Sequence, residues 1–180
     1  MNAIFEELEE ALDHVETSAR REAATYAHGV ERPVGGYAVL ISIYGAATAM
    51  LAWVARRRGA RWQPSPRDVA ELGVATHKLS RLLTKDTVTA FARMPFTTFT
   101  EPSGDGEVRE EVRGSGLRHA AGELITCPFC IAVWVATGFA FGMLLLPRFT
   151  RIVLAVLCAV AGSDYLQLTY AILQRAASDD

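Results

Sequence analysis

The sequence is short of what a soluble domain needs. Charged residues make up only 21% of its 180 residues, and they are spread so unevenly that three long stretches hold one acid or none. Its 18 Lys and Arg are outnumbered by 20 Asp and Glu, so no bulk positive charge is available to draw in a nucleic-acid backbone, and nucleic acid is excluded as a partner. There are only three cysteines, an odd number with two of them three apart, which is not the make-up of an extracellular disulfide framework. Residues 1 to 33 hold eight acids and lack the basic stretch and apolar run of a cleavable signal. No Ser-His-Asp order, P-loop, dinucleotide fingerprint or HExxH is found, so the common enzyme classes have no support.

What is present is apolar sequence. Val34 to Ala55 (VGGYAVLISIYGAATAMLAWVA) carries no charge, Leu124 to Pro147 carries none, and Ile152 to Gln174 is interrupted only by Asp164. At 1.5 Å rise per residue each run reaches across a hydrocarbon core of roughly 30 Å. The expected fold is therefore all-α: an integral membrane protein with spans at 34–55, 124–147 and 152–174, an N-terminal extension 1–33, a loop 56–123 and a tail 175–180. The loop holds twelve of the Lys and Arg residues, with Arg56, Arg57 and Arg58 at its start. Basic flanks are retained in the cytoplasm. This predicts a cytoplasmic loop, an N-terminus outside and a C-terminus inside.

Residues 3 to 26 place Ile4, Phe5, Leu8, Ala11, Leu12, Val15, Ala19 and Tyr26 on one helical stripe, opposite Glu6, Glu7, Glu9, Glu10, Asp13 and Glu16. Anionic lipid repels such a helix, so its apolar face suits a protein partner, a second copy of the chain, or local docking. Ser65-Pro66-Arg67-Asp68 is a helix start, with Ser65 as cap and Pro66 in the first turn. The helix that follows is expected to lie at the membrane interface, with Lys78, Arg81 and Lys85 on one face as contacts for lipid headgroups or a phosphate. Asp86 is expected to cap a short helix through Arg93, and the Gly-rich, charged segment 99–116 is expected to be mobile.

Cys127-Pro128-Phe129-Cys130, at the expected cytoplasmic end of the second span, is the sharpest local motif, because thiols three residues apart can share a metal or exchange as a dithiol. On a continuous helix Glu123, Cys127, Cys130 and Trp134 share a face, and Pro128 kinks its first turn. A zinc site needs four ligands, for which His77 and His119 are the candidates beside Cys127 and Cys130, with Glu123 a further one. The alternatives are redox chemistry and plain packing. Asp164, near the middle of the third span with no base expected at its depth, is read as a protonated hydrogen-bond donor, either clamping helices together or relaying protons. Ser42, Tyr44 and Thr48 of the first span are the expected partners across the interface. Small residues at spacing four, such as Ala38, Ser42 and Ala46 or Ala132, Ala136 and Ala140, suit close helix contact and self-association.

Ala75 to Asp86 (ATHKLSRLLTKD), Gly122-Glu123-Leu124 leading into Thr126-Cys127-Pro128-Phe129-Cys130 with Trp134, and Ala161-Gly162-Ser163-Asp164-Tyr165-Leu166 together resemble a known family. It is the set of small bacterial membrane proteins catalogued as domain-of-unknown-function family thirteen-sixty, and the likeness covers roughly residues 35 to 174. The resemblance implies a bacterial inner-membrane setting, with some members associated with the spore coat, and it brings no assigned reaction. It places His77, Arg81, Asp86, Glu123, Cys127, Cys130 and Asp164 inside the motif blocks.

Three functions follow as expectations. The first is a membrane module for assembly or partner docking, with a metal or dithiol site at the cytoplasmic interface. The second is a membrane-embedded enzyme in which Cys127 or Cys130 is nucleophile or ligand, Glu123 or His77 is the base, and Lys78, Arg81 and Lys85 hold a lipid phosphate. The third is a transporter subunit with Asp164 as proton carrier.

Overall fold

The computed structural model describes residues 2–27, 32–104 and 106–178. Along the chain it forms α1 (Asn2–Ala27), α2 (Val34–Arg57), α3 (Pro66–Lys85), the single turn α4 (Ala90–Arg93), strands β1 (Thr97–Gly104) and β2 (Glu107–Val112), α5 (Gly116–Thr126), α6 (Pro128–Leu145) and α7 (Pro147–Ser178). Three of these, α2, α6 and α7, are long and apolar enough to cross a membrane. Only 6% of the most apolar window of α2, and 11% of those of α6 and α7, is buried within the chain. The rest of the protein does not cover them, and Ile41, Ile43, Ile152, Val156, Leu168 and Ile172 are among the side chains left outside.

The helices arise where the sequence signals them. Uncharged runs give α2 and α6, and α3 starts on a reciprocal cap: the Ser65 Oγ accepts the Asp68 N–H at 3.1 Å while Asp68 Oδ2 accepts the Ser65 N–H at 2.9 Å. Helix α3 packs lengthwise on both α6 and α7, and these are the most extensive helix contacts in the molecule. The core sits there, with Ala75, Phe139, Met143 and Leu154 buried and Trp62, Leu72 and Leu79 against them. Three of its charges, on Asp68, Lys78 and Arg81, are met by partners far away in sequence, which hydropathy alone does not register.

Two of those pairs set the direction of packing. Asp68 at the start of α3 meets Arg151 at the start of α7 at 3.0 Å, and Lys78 meets Asp164 further along both helices at 2.5 Å. The two helices therefore run parallel. Since α6 and α7 form a hairpin about Leu146, α3 is antiparallel to α6. On the other flank Tyr37 of α2 meets Glu123 of α5, and Tyr44 reaches Thr137 of α6 at 2.8 Å, so α2 runs parallel to α5 and α6. The approach of α2 to α5 is close: a Cβ on Gly36 would stand 2.8 Å from the Ala120 Cβ and 2.9 Å from the Gly116 carbonyl oxygen. Consequently the α2–α3 connection and the α6–α7 turn share one end of the bundle. The strands, α5 and the Cys127 junction share the other.

The expected all-α fold is corrected by the antiparallel pair β1–β2, registered from Thr97 opposite Val112 to Gly104 opposite Glu107. It occupies most of the segment expected to be mobile. Gly106, at φ +79°, supplies the left-handed residue that closes the hairpin, and Pro102 is tolerated because β1 has a free edge. The helix expected between Asp86 and Arg93 shrinks to α4, with Asp86 Oδ1 accepting the Val88 N–H at 2.9 Å. Helix α1 forms as the periodicity predicted and exposes Phe5, Val15 and Tyr26; the side chains of Ile4, Leu8 and Leu12 lie outside the described set.

Arg93 joins these pieces. Only 1% exposed, it donates through Nη1 to the Leu83 carbonyl at 2.8 Å, through Nη2 to the Asp86 carbonyl at 2.9 Å, and through Nε to Glu110 of β2 at 2.5 Å. One guanidinium thus caps the C-terminus of α3 and fastens the hairpin to it. Replacing Arg93 by Ala leaves Glu110 as an uncompensated buried charge and is expected to cost about 3–5 kcal/mol. A fall in the melting temperature of detergent-solubilised protein is the readout, and Arg93→Ala/Glu110→Leu is expected to recover part of it.

Candidate functional site

Cys127 belongs to two helices at once. With φ −103° and ψ 109° it is extended, ending α5 and capping α6, while Pro128 fills the first position of α6, where no backbone N–H is needed. The kink expected at Pro128 is a complete break. The Cys127 Sγ accepts the Cys130 N–H at 3.3 Å, and the Cys130 thiol donates to the same sulfur with the two Sγ atoms 2.6 Å apart. Both thiols are free; Cys127 is half-buried and Cys130 exposed.

The break still leaves Glu123, Cys127, Cys130 and Trp134 on one wall, as helical spacing predicted. They line a cavity of about 640 Å³ that α2 closes from the opposite side with Tyr37, Leu40 and Ile41. Trp134 meets the Tyr44 ring edge to face at 5.1 Å, which fixes the indole beside the sulfur pair. Glu123 is not a free base. Its carboxylate accepts from the Tyr37 hydroxyl and lies 3.8 Å from Arg32 Nη1 and 3.6 Å from His119 Nε2. The His119 Nδ1 faces the Gly114 carbonyl at 3.2 Å, so this histidine is spent on the junction between β2 and α5.

His77 is elsewhere. It borders a second cavity of about 760 Å³ between α3, the hairpin and α7, together with Lys78, Arg81 and Asp164. The four-ligand set Cys127, Cys130, His77 and His119 is therefore not assembled, and among the described residues no group of three or more His, Cys, Asp and Glu could hold a metal ion. The basic stripe is also committed. Lys78 pairs with Asp164 and Arg81 with Glu107, while Lys85 stands in the last turn of α3 outside the cavity wall. Asp164 consequently has the basic partner that the sequence reading denied it, supplied by α3 and not by α2. Ser42 bonds back to the Ala38 carbonyl at 2.7 Å, and α2 packs on α5 and α6, away from Asp164.

Sequence reasoning missed Tyr37, Arg32 and Arg93. The first two sit in or beside α2, more than 80 residues from Glu123, and Arg93 looked like one more loop cation. No local signal marks them. Cys158 packs against the core and its thiol donates to the Glu71 carbonyl of α3 at 3.4 Å.

A helical protein with three helices able to cross a bilayer and a dithiol at a helix junction is the class that this geometry defines. More particularly, the chain belongs to the family described as Protein of unknown function (DUF1360), which matches residues 72–170, from within α3 to within α7. It is similar to the sporulation protein YjcA of Bacillus subtilis (strain 168), at 33% identity over 94 residues, 51% of this chain and 79% of that protein. No solved structure matches it.

Lys78→Met is expected to lower the melting temperature, because Asp164 then loses the ammonium group it pairs with, a loss of about 1 kcal/mol for a partly exposed pair. The double variant Lys78→Met/Asp164→Leu is expected to melt higher than the single one. A double variant no better than the single would show that the two side chains act independently.

Proposed function

We propose that this protein is a bacterial inner-membrane docking module whose working element is the Cys127–Cys130 dithiol, exchanging with a disulfide of a protein partner. The observation that carries the reading is the pair of Sγ atoms 2.6 Å apart at the α5–α6 break, beside an apolar cavity. Cys127 is the attacking sulfur, the one that accepts both the Cys130 N–H and the Cys130 thiol at the start of α6. A Cys127–partner bond forms, the partner's disulfide breaks, and one partner thiolate leaves. Cys130, losing its proton, then attacks the Cys127 Sγ, closes the internal disulfide and expels the second partner thiol. Two electrons and two protons pass to the partner. The reverse order oxidises a partner dithiol.

The cavity gives the partner segment an apolar seat next to the sulfurs, and the exposed stripe of α1, with Phe5, Val15 and Tyr26, offers a second surface to a partner or to another copy of the chain. The relative's name supports a place in sporulation. The dithiol reading is preferred to zinc binding and to proton carriage because His77 lines a different cavity from Cys127 and Cys130, and Asp164 is paired with Lys78.

Titration of the full chain against mixtures of reduced and oxidised glutathione, followed by alkylation and mass analysis, is the test. A two-electron transition confined to Cys127 and Cys130 is expected, and Cys130→Ser is expected to accumulate a mixed disulfide on Cys127. Thiols that stay reduced throughout would overturn the proposal.

A further inference from the structure

The end of the bundle opposite the dithiol is built from arginine. Arg56, Arg57 and Arg58 close α2, Arg61 lies in the connection to α3, and Arg148 opens α7, all exposed. Trp62 packs against the core cluster that contains Met143 and Leu154, which together with the Asp68–Arg151 pair brings the connection and the α6–α7 turn to the same end. The acids at this end are already used: Asp68 pairs with Arg151, and Glu71 with Arg67 at 2.7 Å. Among the described residues none of Arg56, Arg58, Arg61 and Arg148 has an acidic partner, while Arg57 lies over the Trp53 ring at 4.8 Å. Exposed Trp53 and Phe149 rim the same surface.

The opposite end is different. Most of its cations are spent within the fold: Arg93 on Glu110, Arg109 on Glu101 at 2.6 Å, and Arg113 and Arg118 on the Met94 and Pro95 carbonyls, which leaves Lys85 and Arg175, in the last turns of α3 and α7, without an acidic partner among the described residues. One end thus clusters Arg56, Arg58, Arg61 and Arg148 without acidic partners on two neighbouring connections, whereas the other keeps only Lys85 and Arg175 unpaired, on separate helices. Unpaired guanidinium groups bind lipid phosphates at an anionic surface, and Trp rings settle at headgroup depth.

We infer that the α2–α3 connection and the α6–α7 turn form a single surface that binds the anionic headgroups of the cytoplasmic leaflet, so that the dithiol and the hairpin open on the outer face. This reverses the side expected from counting the 56–123 segment as one loop. That count fails because α3 returns along α6 and α7 and divides the segment between the two ends. The 20 residues of α3 span about 30 Å, the thickness of the hydrocarbon core. On the side of α3 turned away from the bundle, Val69, Ala70, Gly73 and Val74 are exposed and uncharged over its first half, with exposed His77 and Arg81 following toward the dithiol end. The outer face is also where disulfides persist and where a dithiol meets oxidised partners.

The inference rests on the membrane placement proposed above and is independent of whether the thiols exchange. Its test is labelling of the full chain in a bacterial inner membrane with a membrane-impermeant maleimide, before and after permeabilisation. The probes are the native Cys127 and Cys130 after brief reduction and, in a Cys127→Ser/Cys130→Ser background, Gln63→Cys, Leu146→Cys and Ser115→Cys. The native thiols and Ser115→Cys are expected to react in intact spheroplasts, and Gln63→Cys and Leu146→Cys only after permeabilisation. Reversed labelling would overturn the orientation, and labelling of Gln63→Cys and Leu146→Cys from opposite sides would overturn the shared basic surface. Replacing Arg56, Arg57, Arg58 and Arg148 together by Gln is expected to give labelling of the native thiols from both sides, at least a twofold loss of sidedness. Unchanged sidedness would remove the arginines from the argument. Release of the chain by alkaline carbonate would overturn the membrane placement itself, whereas a failed glutathione titration with correct sidedness would remove only the exchange chemistry.

Discussion

The pairing of α3 with α7 through Asp68–Arg151 and Lys78–Asp164 is the constraint on which the other relations in the molecule depend. A helix as polar as α3 gains little by lying against two apolar helices unless its charges are met, because an uncompensated charge in that setting costs several kcal/mol. The two pairs meet them at two depths, and two points fix both position and direction. Once α3 runs parallel to α7, the short connection from α2 must lie beside the α6–α7 turn. The chain following α3 must then emerge at the far end, where it folds as the hairpin and α5 before entering α6.

Much of this architecture was legible in the sequence, and the missing part has a common cause. The uncharged runs marked α2, α6 and α7 to within a few residues, because hydropathy is a local property. The Ser65-Pro66-Arg67-Asp68 start of α3 was legible for the same reason, since a cap is made by residues three apart. The site was half legible. Helical spacing brought Glu123, Cys127, Cys130 and Trp134 to one wall, and Pro128 announced a disturbance. Asp164 was singled out correctly as an acid in an apolar run, but its partner Lys78 is 86 positions away and had been assigned to lipid. The strands were missed because β1 and β2 carry Gly, Pro and five acids or bases where an alternating apolar pattern was sought. Their stability comes from Arg93 and α5, which no window of sequence contains.

The β1–β2 hairpin is therefore more than a surface loop. It covers the C-terminal end of α3, satisfies carbonyls there through Arg93, and lays Val112 against Gly122 of α5 so closely that any side chain at 122 must displace it. The family match begins inside α3 and ends inside α7, so it contains this whole unit together with both cysteines. Helix α2 stands outside the matched segment and reaches it through Gly36 and the Tyr37–Glu123 bond. The cavity beside the dithiol is thus made jointly by the shared unit and by a helix outside it.

Trp134 gives that cavity a further property. Its indole is one turn beyond Cys130 on α6, lines the same wall as both sulfurs, and is held still by the Tyr44 ring. A disulfide quenches a neighbouring excited indole by accepting an electron far more readily than two thiols do. The emission of this one residue therefore varies with the state of the sulfurs beside it, and the protein carries its own optical gauge.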